Sequence, residues 1–445
     1  MRVHPLERVP DLLALHAVAP QRYPYLLESV AQPANIAAAT LARFDILFAF
    51  PADAIVVDDF AAEDFFSVLD TLPVAASGAL GDASDLPFTG GWFVFLSYEA
   101  AQLVEPCVGI DRREPRLPLA YAARVRTAIV RRRDTGDAFI VCENEVQADA
   151  VAQIRADLAR TEPVLARPLA ATVAEESPEI YLCNVARVQD YIRAGDVFQV
   201  NLSREWRLTL HDRAQPFEVY DALRRANPAP FAGLAVFPQA AVVSSSPERL
   251  VELRRGLVRT RPIAGTHPRS EDPHEDAALS ARLLAHPKER AEHVMLIDLE
   301  RNDLGRICET GSVAVPELMT LESYRYVHHI VSEVRGHVRK GVGPGAVLRA
   351  VFPGGTITGC PKIRCMQILQ ELEHAPRGAY TGAMGYLNRD GSMELNILIR
   401  TLTHAGREVR FRAGGGIVAD SDPARELNET RAKARGLLRA FGLPA

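Results

Sequence analysis

The sequence lacks the features that mark several common protein classes. Its six cysteines are scattered and no CxxC pair occurs, which argues against zinc ribbons and thioredoxin-type redox sites. No apolar run approaches the roughly 18 residues of a membrane-spanning helix. The opening MRVHPLERVPDLL is charged and broken by prolines, unlike a secretory signal peptide. We therefore predict a protein of the reducing cytoplasm with no membrane partner.

The charge balance argues against a further class of partner. Charged residues make up 24% of the chain, the formal net charge is -5, and no basic block is present. Nothing in this balance indicates a nucleic-acid partner. An anionic substrate would therefore need basic residues placed locally. Apolar residues instead make up 48% of the chain, which is enough for a large core. The length of 445 residues is too great for one ordinary domain.

The pattern of apolar residues changes along the chain. Residues 1–165 mix short apolar strands with acidic turns, and we predict an N-terminal α/β region that packs on a core. Residues 162–179 have no clear period and are predicted to be a linker or crossover. Residues 180–445 alternate blocks of strands with long amphipathic helices, and we predict that they form the catalytic domain. This arrangement predicts the α+β class.

The loop FPGGTITGCPK, at 352–362, resembles a phosphate-binding loop at first sight. Its glycines have the Walker spacing, but Lys362 comes two residues too late and Ile363 replaces the Ser/Thr that would hold magnesium. Pro361 also removes a backbone donor. Two interpretations remain: a loop running into a helix whose free N–H groups favour an anion, or an ordinary strand–helix turn.

Two pairs of glutamates have helical spacing. Residues three apart share a helix face, and carboxylates aimed at one point repel unless a cation lies between them. Oxygen-only ligands suit Mg²⁺, although two solvated helix faces would show the same spacing. The second pair follows the glycines 414–416 and a predicted helix start at Asp422 and Pro423. The pairs are Glu289 with Glu292, on a predicted helix that is interrupted near Pro287, and Glu426 with Glu429.

Several single residues allow both a structural and a functional interpretation. His328 and His329 lie in a predicted strand, where a histidine is either structural or catalytic. Arg400 ends a predicted strand and is either a surface arginine or a carboxylate clamp. Glu248, after Pro247 at a turn, is either an exposed acid or a functional one. Lys433 is either a surface residue or a ligand to an anion.

Longer motifs combine these residues. SSSPERL, RPIAGT, KERAEHVMLIDLERNDLGR, HHIVSEV, FPGGTITGCPKIRCMQIL, GAYTGAMGY, ILIRT and GGGIVADSDPARELNETRAKA occur in the order found in the chorismate-utilising enzymes. Over roughly residues 185–440 the chain resembles this family, which includes component I of aminodeoxychorismate synthase and of anthranilate synthase. The resemblance implies an anthranilate synthase component I-like fold, with two large β-sheets packed around the active site and flanking helices.

The resemblance also implies roles for individual residues. Mg²⁺ would hold the C1 carboxylate of chorismate through Glu292 and Glu429, with Glu289 and Glu426 in support. Glu248 would assist loss of the C4 hydroxyl as an acid, and His329 would lie near the ring. The loop at 352–362 would be a wall of the chorismate pocket. The residues implied to hold the substrate's carboxylates are Gly265, Thr266, Tyr386, Arg400, Gly414, Gly415, Gly416 and Lys433.

The nucleophile is implied by one position in the strand DVFQVNLS. Relatives that add water to chorismate carry a lysine where this chain has Gln199. A glutamine cannot act as a general base, whereas ammonia carries its own lone pair, so Gln199 favours amination. No glutamine-hydrolysing cysteine motif is visible, and ammonia is therefore expected from a separate glutaminase subunit.

Two aminations remain open. The segments RFDILFA (Arg43–Ala49), GGWFVFLSYEAAQLVEP, ANPAPF and FPGGTITG look more like the aminodeoxychorismate enzymes of p-aminobenzoate and folate synthesis. However, Ala264 stands where many of those enzymes carry a nucleophilic lysine, as it does in anthranilate synthases. YLLES (Tyr25–Ser29) is either a plain strand or a tryptophan-binding motif. We favour 4-amino-4-deoxychorismate as the product, with anthranilate as the alternative. A non-catalytic chorismate-binding or tryptophan-sensing subunit would not need the acid Glu248.

Overall fold

The structure is a computed structural model and describes residues 1–7, 11–31, 34–35, 43–62, 64–72, 85–143, 148–270, 272–325 and 327–443. Within these ranges the strands form two large antiparallel sheets, one of 12 and one of 10 strands, and α-helices flank them. The predicted α+β class with two large sheets is confirmed. No helix in the described ranges is long and apolar enough to cross a bilayer.

The strands, in chain order, are β1 (Arg2–Leu6), β2 (Tyr25–Glu28), β3 (Phe44–Ala49), β4 (Ala54–Val57), β5 (Gly91–Leu96), β6 (Ala120–Val125), β7 (Thr127–Arg132), β8 (Ala138–Cys142), β9 (Ala171–Glu175), β10 (Gln199–Leu210), β11 (Phe231–Val236), β12 (Ala241–Ser246), β13 (Arg249–Arg254), β14 (Leu257–Thr260), β15 (Ile263–Pro268), β16 (Ala314–Ser323), β17 (Val327–His337), β18 (Gly359–Cys360), β19 (Ala383–Asn388), β20 (Met393–Ile397), β21 (Thr401–Ala405) and β22 (Glu408–Ile417).

The helices, in chain order, are α1 (Leu12–Val18), α2 (Phe65–Thr71), α3 (Ala101–Val104), α4 (Ala148–Leu158), α5 (Pro178–Arg193), α6 (Pro216–Ala226), α7 (Pro273–Ala285), α8 (Pro287–Gly305), α9 (Pro344–Val351), α10 (Lys362–Leu372) and α11 (Pro423–Leu438).

Both sheets combine strands from distant parts of the chain. The first has the order β1-β8-β7-β3-β2-β11-β12-β21-β22-β10-β18, with β9 paired to β10, and the second has the order β15-β17-β14-β13-β20-β19-β5-β6-β4, with β16 paired to β17. The predicted N-terminal region, 1–165, therefore supplies strands to both sheets, and the predicted boundary does not separate one sheet from the other.

The segment 162–179, predicted to be a linker, contains β9, which pairs antiparallel with β10 from Ala171 opposite Leu210 to Glu175 opposite Trp206. Only the first residue of β9 is buried. Main-chain hydrogen bonds hold such a strand without any alternation of apolar side chains, and for this reason the sequence pattern did not reveal it.

One hydrophobic core lies between the two sheets. Tyr25 of the first sheet stacks on Phe93 of the second, with ring centroids 4.0 Å apart, and Phe48 packs edge-on against the same ring at 5.6 Å. Helices cover the outer faces: α1 and α6 pack on the first sheet, and α2 and α9 on the second. The sheets thus form a fixed frame from which the site residues project.

Two predicted helix boundaries that place site residues are confirmed. The Asp422 carboxylate accepts a hydrogen bond from the Arg425 N–H at 2.8 Å, with Pro423 at the first helical position of α11. The helical pattern is interrupted at His286, and α8 begins at Pro287. Because both helices start where the sequence indicates, Glu289 and Glu292 share one face of α8, and Glu426 and Glu429 share one face of α11.

Candidate active site

The two glutamate-bearing helices meet next to β10. The Gln199 Nε2 group donates a hydrogen bond to Glu292 Oε1 at 3.2 Å. Burial and the nearby carboxylate of Glu289 raise the pKa of Glu292, and Glu429 of the other helix acts in the same direction. The carboxylates of α8 and α11 are therefore close enough to repel one another.

A lysine and a glycine run complete this corner. The Lys433 ammonium lies 2.6 Å from Glu429 Oε1 and donates to the Gly414 carbonyl at 2.8 Å. A Cβ at Gly415 would lie 3.4 Å from Glu426 Oε2 and 3.5 Å from Glu429 Oε1. The absence of a side chain at Gly415 thus leaves room directly beside two carboxylates and an ammonium.

The glutamates do not form a closed cage. Within the described part of the chain, no three His, Cys, Asp or Glu side chains are grouped closely enough to hold one metal ion. One oxygen of Glu426 is occupied, because it accepts a hydrogen bond from the Ser421 hydroxyl at 2.7 Å. One oxygen of Glu289 lies close to Gly265, at 3.0 Å from the position that a Cβ would occupy there. The donor set is oxygen-only and mutually repulsive, which fits Mg²⁺, an ion that keeps water and substrate oxygens among its ligands.

Glu248 is buried at the turn between β12 and β13, with 4% of its surface exposed. Its Oε1 atom has no hydrogen-bond partner among the described residues. Burial raises the pKa of Glu248 to about 7, while the Thr356 hydroxyl and the Ile263 backbone act in the opposite direction. The residue is therefore not the exposed turn acid of the alternative interpretation, and near neutral pH a large fraction of it carries a proton.

His329 and Thr266 face each other across paired strands. Thr266 of β15 lies opposite His329 of β17, and the Thr266 hydroxyl is 2.8 Å from His329 Nδ1. Burial, and then the positive charge of Arg400, lower the pKa of His329 to about 4. At neutral pH this imidazole is therefore uncharged, and it does not serve as a fixed cation.

Arg400 lies in the turn between β20 and β21 with a left-handed φ of 52°. Burial lowers the pKa of its guanidinium, whereas Tyr380 and Glu429 raise it. Its carbonyl accepts a hydrogen bond from the Ser245 N–H at 3.1 Å, but its guanidinium has no hydrogen-bond or ion-pair partner among the described residues. The donors of Arg400 are therefore available to an anion.

The structure does not bring Tyr386 to this site. Its hydroxyl donates to Glu394 Oε2 at 3.3 Å, and its ring lines a separate cavity of about 70 Å³ with Glu28 and Ser29. Tyr380, which the sequence analysis did not single out, is instead close enough to Arg400 to raise the pKa of its guanidinium. GAYTGAMGY offers two tyrosines, and the sequence could not show that β19 begins between them.

The segment Tyr25–Ser29 is a strand whose end lines that cavity. Its acid is already paired: the Tyr220 hydroxyl donates to Glu28 at 2.9 Å, and Arg224 lies 3.2 Å from the same carboxylate. The plain-strand interpretation thus holds for its conformation. Tryptophan binding at this cavity stays a prediction.

The loop 352–362 forms a wall beside Gln199. Its short strand β18 pairs with β10, with Cys360 opposite Gln199. Lys362 does not face a phosphate position, because its ammonium lies 2.6 Å from Asp303 Oδ2. Thr356, the second residue that the sequence analysis missed, projects from this loop toward Glu248. Its only signal in the sequence was its place between glycines.

Known proteins share this chain's sequence and fold. The family model described as chorismate binding enzyme matches residues 30–439. An anthranilate synthase component I-like protein of Synechocystis sp. is 40% identical over 357 residues, covering 80% of this chain and 73% of the relative. An aminodeoxychorismate synthase component 1 of Bacillus subtilis is 45% identical over 261 residues, covering 58% and 55%.

Solved structures agree with this match. Anthranilate synthase component I of Streptococcus pneumoniae superimposes with a TM-score of 0.78 at 32% identity, covering 89% of this chain and 92% of that chain. The menaquinone-specific isochorismate synthase MenF of Escherichia coli has a TM-score of 0.75 at 21% identity, covering 99% and 94%. The second likeness shows the fold alone.

Proposed function

The chain belongs to the chorismate-binding enzyme family, and from this premise we propose that it aminates chorismate to 4-amino-4-deoxychorismate. The ammonia would come from a separate glutaminase subunit. The observation that carries the proposal is the buried Glu248, whose pKa of about 7 supplies a protonated carboxyl near neutral pH. A leaving hydroxyl needs such a proton donor.

The substrate would lie between Glu248 and the basic residues. As the ammonia nitrogen bonds to C4, protonated Glu248 would donate its proton to the C4 hydroxyl and the C–O bond would break, so that water leaves. The Glu248 carboxylate that remains can accept the proton that the new ammonium group gives up. The Arg400 guanidinium, which has no hydrogen-bond or ion-pair partner among the described residues, would bind a carboxylate of chorismate in a bidentate manner. Thr266 would add a hydroxyl donor. His329, hydrogen-bonded to Thr266, would lie next to the chorismate ring. Because its imidazole is neutral, it would not repel the Arg400 guanidinium.

Magnesium, when bound by Glu292 and Glu429 with Glu289 and Glu426 in support, would neutralise and orient the second carboxylate. Gln199 would hold Glu292 in place through its amide N–H. The Gln199 amide cannot remove a proton from water, which favours ammonia as the nucleophile. Lys433, whose ammonium lies 2.6 Å from Glu429 Oε1, would stabilise the same negative charge.

Anthranilate formation is the second candidate, and Ala264 favours it. This residue is buried with 6% of its surface exposed and lies opposite Ile330. It therefore cannot replace the nucleophilic lysine that many aminodeoxychorismate enzymes carry at this position. The names of several relatives point the same way: the match in Pseudomonas aeruginosa is an anthranilate synthase component 1, 49% identical over 265 residues, covering 60% of this chain and 54% of the relative.

A single incubation tests the proposal. The chain is mixed with chorismate, MgCl₂ and ammonium chloride, and the products are identified by mass and fluorescence. 4-Amino-4-deoxychorismate is expected. Fluorescent anthranilate would establish the alternative, and unchanged chorismate under all conditions would contradict both.

The metal assignment needs a readout apart from turnover. Glu292→Gln is expected to weaken Mg²⁺ binding measured by calorimetry and to abolish magnesium-dependent turnover, while the exposed Glu309→Gln should leave both unchanged. Full Mg²⁺ affinity in the first variant would remove Glu292 from the metal site.

A further inference from the structure

A buried arginine lies behind the candidate site, just after the end of α10. The Arg377 side chain is 2% exposed, and its guanidinium uses all of its donors. Nε donates to Glu373 Oε2 at 2.8 Å, and Nη2 donates to Glu373 Oε1 and to the Asn201 carbonyl, both at 2.8 Å. Nη1 donates to the Ile357 carbonyl and the Thr381 hydroxyl, both at 3.3 Å. A guanidinium has five N–H groups, so each one is engaged.

The acceptors belong to separate segments that each contribute to the site. Asn201 lies in β10, two residues after Gln199, and Ile357 follows Thr356 in the loop that faces Glu248. The Tyr380 ring lies 5.6 Å from the Arg377 guanidinium carbon, and Tyr380 is also close enough to Arg400 to raise the pKa of that guanidinium. One guanidinium therefore connects β10, the loop and the tyrosine.

The backbone of this residue is fixed as firmly as its side chain. The Arg377 N–H donates to Glu99 Oε1 at 2.7 Å, and the Gly378 N–H donates to the same oxygen at 3.1 Å. Glu373 is held in turn by the Ser203 hydroxyl at 2.8 Å and by Arg412 at 3.3 Å. A buried ion pair adds little net stability because its desolvation offsets the attraction, but a fully hydrogen-bonded one fixes a geometry.

We propose that Arg377 is a positioning residue of the reaction, which holds Tyr380, the loop 354–358 and β10 at the separation that the chorismate carboxylates require. It acts through Tyr380 and Ile357 and does not touch the substrate. The inference rests on the proposed function, since it assumes that chorismate binds between Arg400 and Glu248.

Arg377→Lys tests the inference, because lysine keeps the charge opposite Glu373 but cannot bridge two carbonyls and a hydroxyl in one plane. The matched control is Arg112→Lys: Arg112 also binds carbonyls at the end of α10, those of Gln370 and His374 at 2.9 and 2.8 Å, but its side chain is 40% exposed. We expect kcat/KM for chorismate to fall about 10²-fold in Arg377→Lys, the scale that a displacement of about 1 Å costs, and to change less than threefold in Arg112→Lys.

Chorismate binding separates this inference from the proposed function. Calorimetry should show weaker chorismate binding in Arg377→Lys than in Arg112→Lys, whether or not turnover occurs. If the unaltered chain neither binds nor consumes chorismate, the proposed function is wrong. If it does, and Arg377→Lys binds and reacts like the control, the positioning role is wrong.

A double-mutant cycle distinguishes positioning from a general loss of structure. If Arg377 acts through Tyr380, Arg377→Lys combined with Tyr380→Phe should lose little more kcat/KM than the slower single variant, whereas strictly additive losses would contradict the inference. Should Arg377→Lys not fold, Thr381→Ala removes a single acceptor of Nη1 and should raise KM a few fold. An unchanged KM in that variant would then overturn the inference.

Discussion

At the scale of single residues, burial sets the protonation of the candidate site. Glu248 and His329 are both buried, and burial disfavours the charged form of each. The carboxyl therefore keeps its proton up to a pKa of about 7, and the imidazole stays neutral down to a pKa of about 4. The pair thus presents a neutral acid and a neutral base to the proposed substrate, chorismate.

Replacing Glu248 should affect the chemical step. Glu248→Gln keeps the shape and the hydrogen-bonding capacity but has no acidic proton, so we expect kcat to fall about 10²- to 10⁴-fold with little change in chorismate affinity. In the unaltered chain, kcat should decline as pH rises through about 7, because Glu248 loses its proton there. Steady-state rates from pH 5.5 to 9 measure both effects, and a loss confined to binding would contradict the acid role.

Replacing Arg400 should affect binding. Arg400→Lys keeps the charge but loses the planar pair of donors, and we expect the chorismate Kd to rise about 10-fold, which corresponds to about 1.4 kcal/mol. Calorimetric titration measures the change, and Arg193→Lys on the exposed face of α5 is the matched control. Equal affinities in the two variants would show that Arg400 does not bind a carboxylate.

At the scale of elements, the glycine run of β22 has two separate functions. A Cβ at Gly414 would lie 2.3 Å from the Leu202 carbonyl of β10, a clash with backbone that cannot move without breaking the strand pairing. The three atoms nearest a Cβ at Gly415 would be the side-chain ends of Glu426, Glu429 and Lys433, at 3.4 to 3.6 Å. Gly414 therefore permits the sheet, and Gly415 keeps the carboxylate corner open.

This difference gives a matched pair of variants. Gly414→Ala should lower the free energy of unfolding by about 1–3 kcal/mol or more, as overpacking does. Gly415→Ala should unfold close to the temperature of the unaltered chain while Mg²⁺ affinity and turnover fall. Thermal unfolding and calorimetry on both proteins check the expectation, and the reverse order of stabilities would refute it.

Sequence patterns predicted elements where local chemistry determines them. The start of α11 was predictable because Asp422 and Pro423 act within one helical turn. The interruption between α7 and α8 was predictable because Pro287 likewise acts locally, at the first position of α8. The edge strand β9 was not, because its partner lies more than 30 residues away. The sequence did not show which of Tyr380 and Tyr386 belongs to the candidate site. The answer depends on where β19 begins, and it begins between the two tyrosines.

At the scale of the whole molecule, buried acids link stability to pH. Burial raises the pKa of Glu99 to about 7 from 4.5. The folded chain therefore binds this proton more tightly than the unfolded chain, and the stabilisation present below about pH 4.5 is lost as pH rises to about 7. At about 1.4 kcal/mol per pKa unit, the loss is at most about 3.5 kcal/mol.

Glu99→Gln should remove this dependence. The free energy of unfolding of the unaltered chain, minus that of the variant, should decrease from pH 5 to pH 8. Urea unfolding at each pH measures the difference, and the exposed Glu309→Gln provides a control that should show no such trend. A difference that grows with pH would mean that Glu99 is ionised in the folded protein.

The architecture was predictable from the sequence in outline only. Blocks of strands between amphipathic helices predict α+β, and long family motifs predict two sheets around a site. The exchange of strands between the two parts of the chain was not predictable, because antiparallel pairs such as β19 with β5, where Ala383 lies opposite Leu96, join segments that share no local signal.

The pairing of β10 with β22 has a consequence for biosynthesis. Val200 lies opposite Ile417, so the first of these strands leaves the ribosome long before its neighbour has been translated. During that interval the nascent polypeptide exposes an unsatisfied strand edge, and any product of premature termination upstream of residue 417 remains incomplete at its reactive centre. Translation must therefore pass Ile417 before the two strands can pair and the site can form.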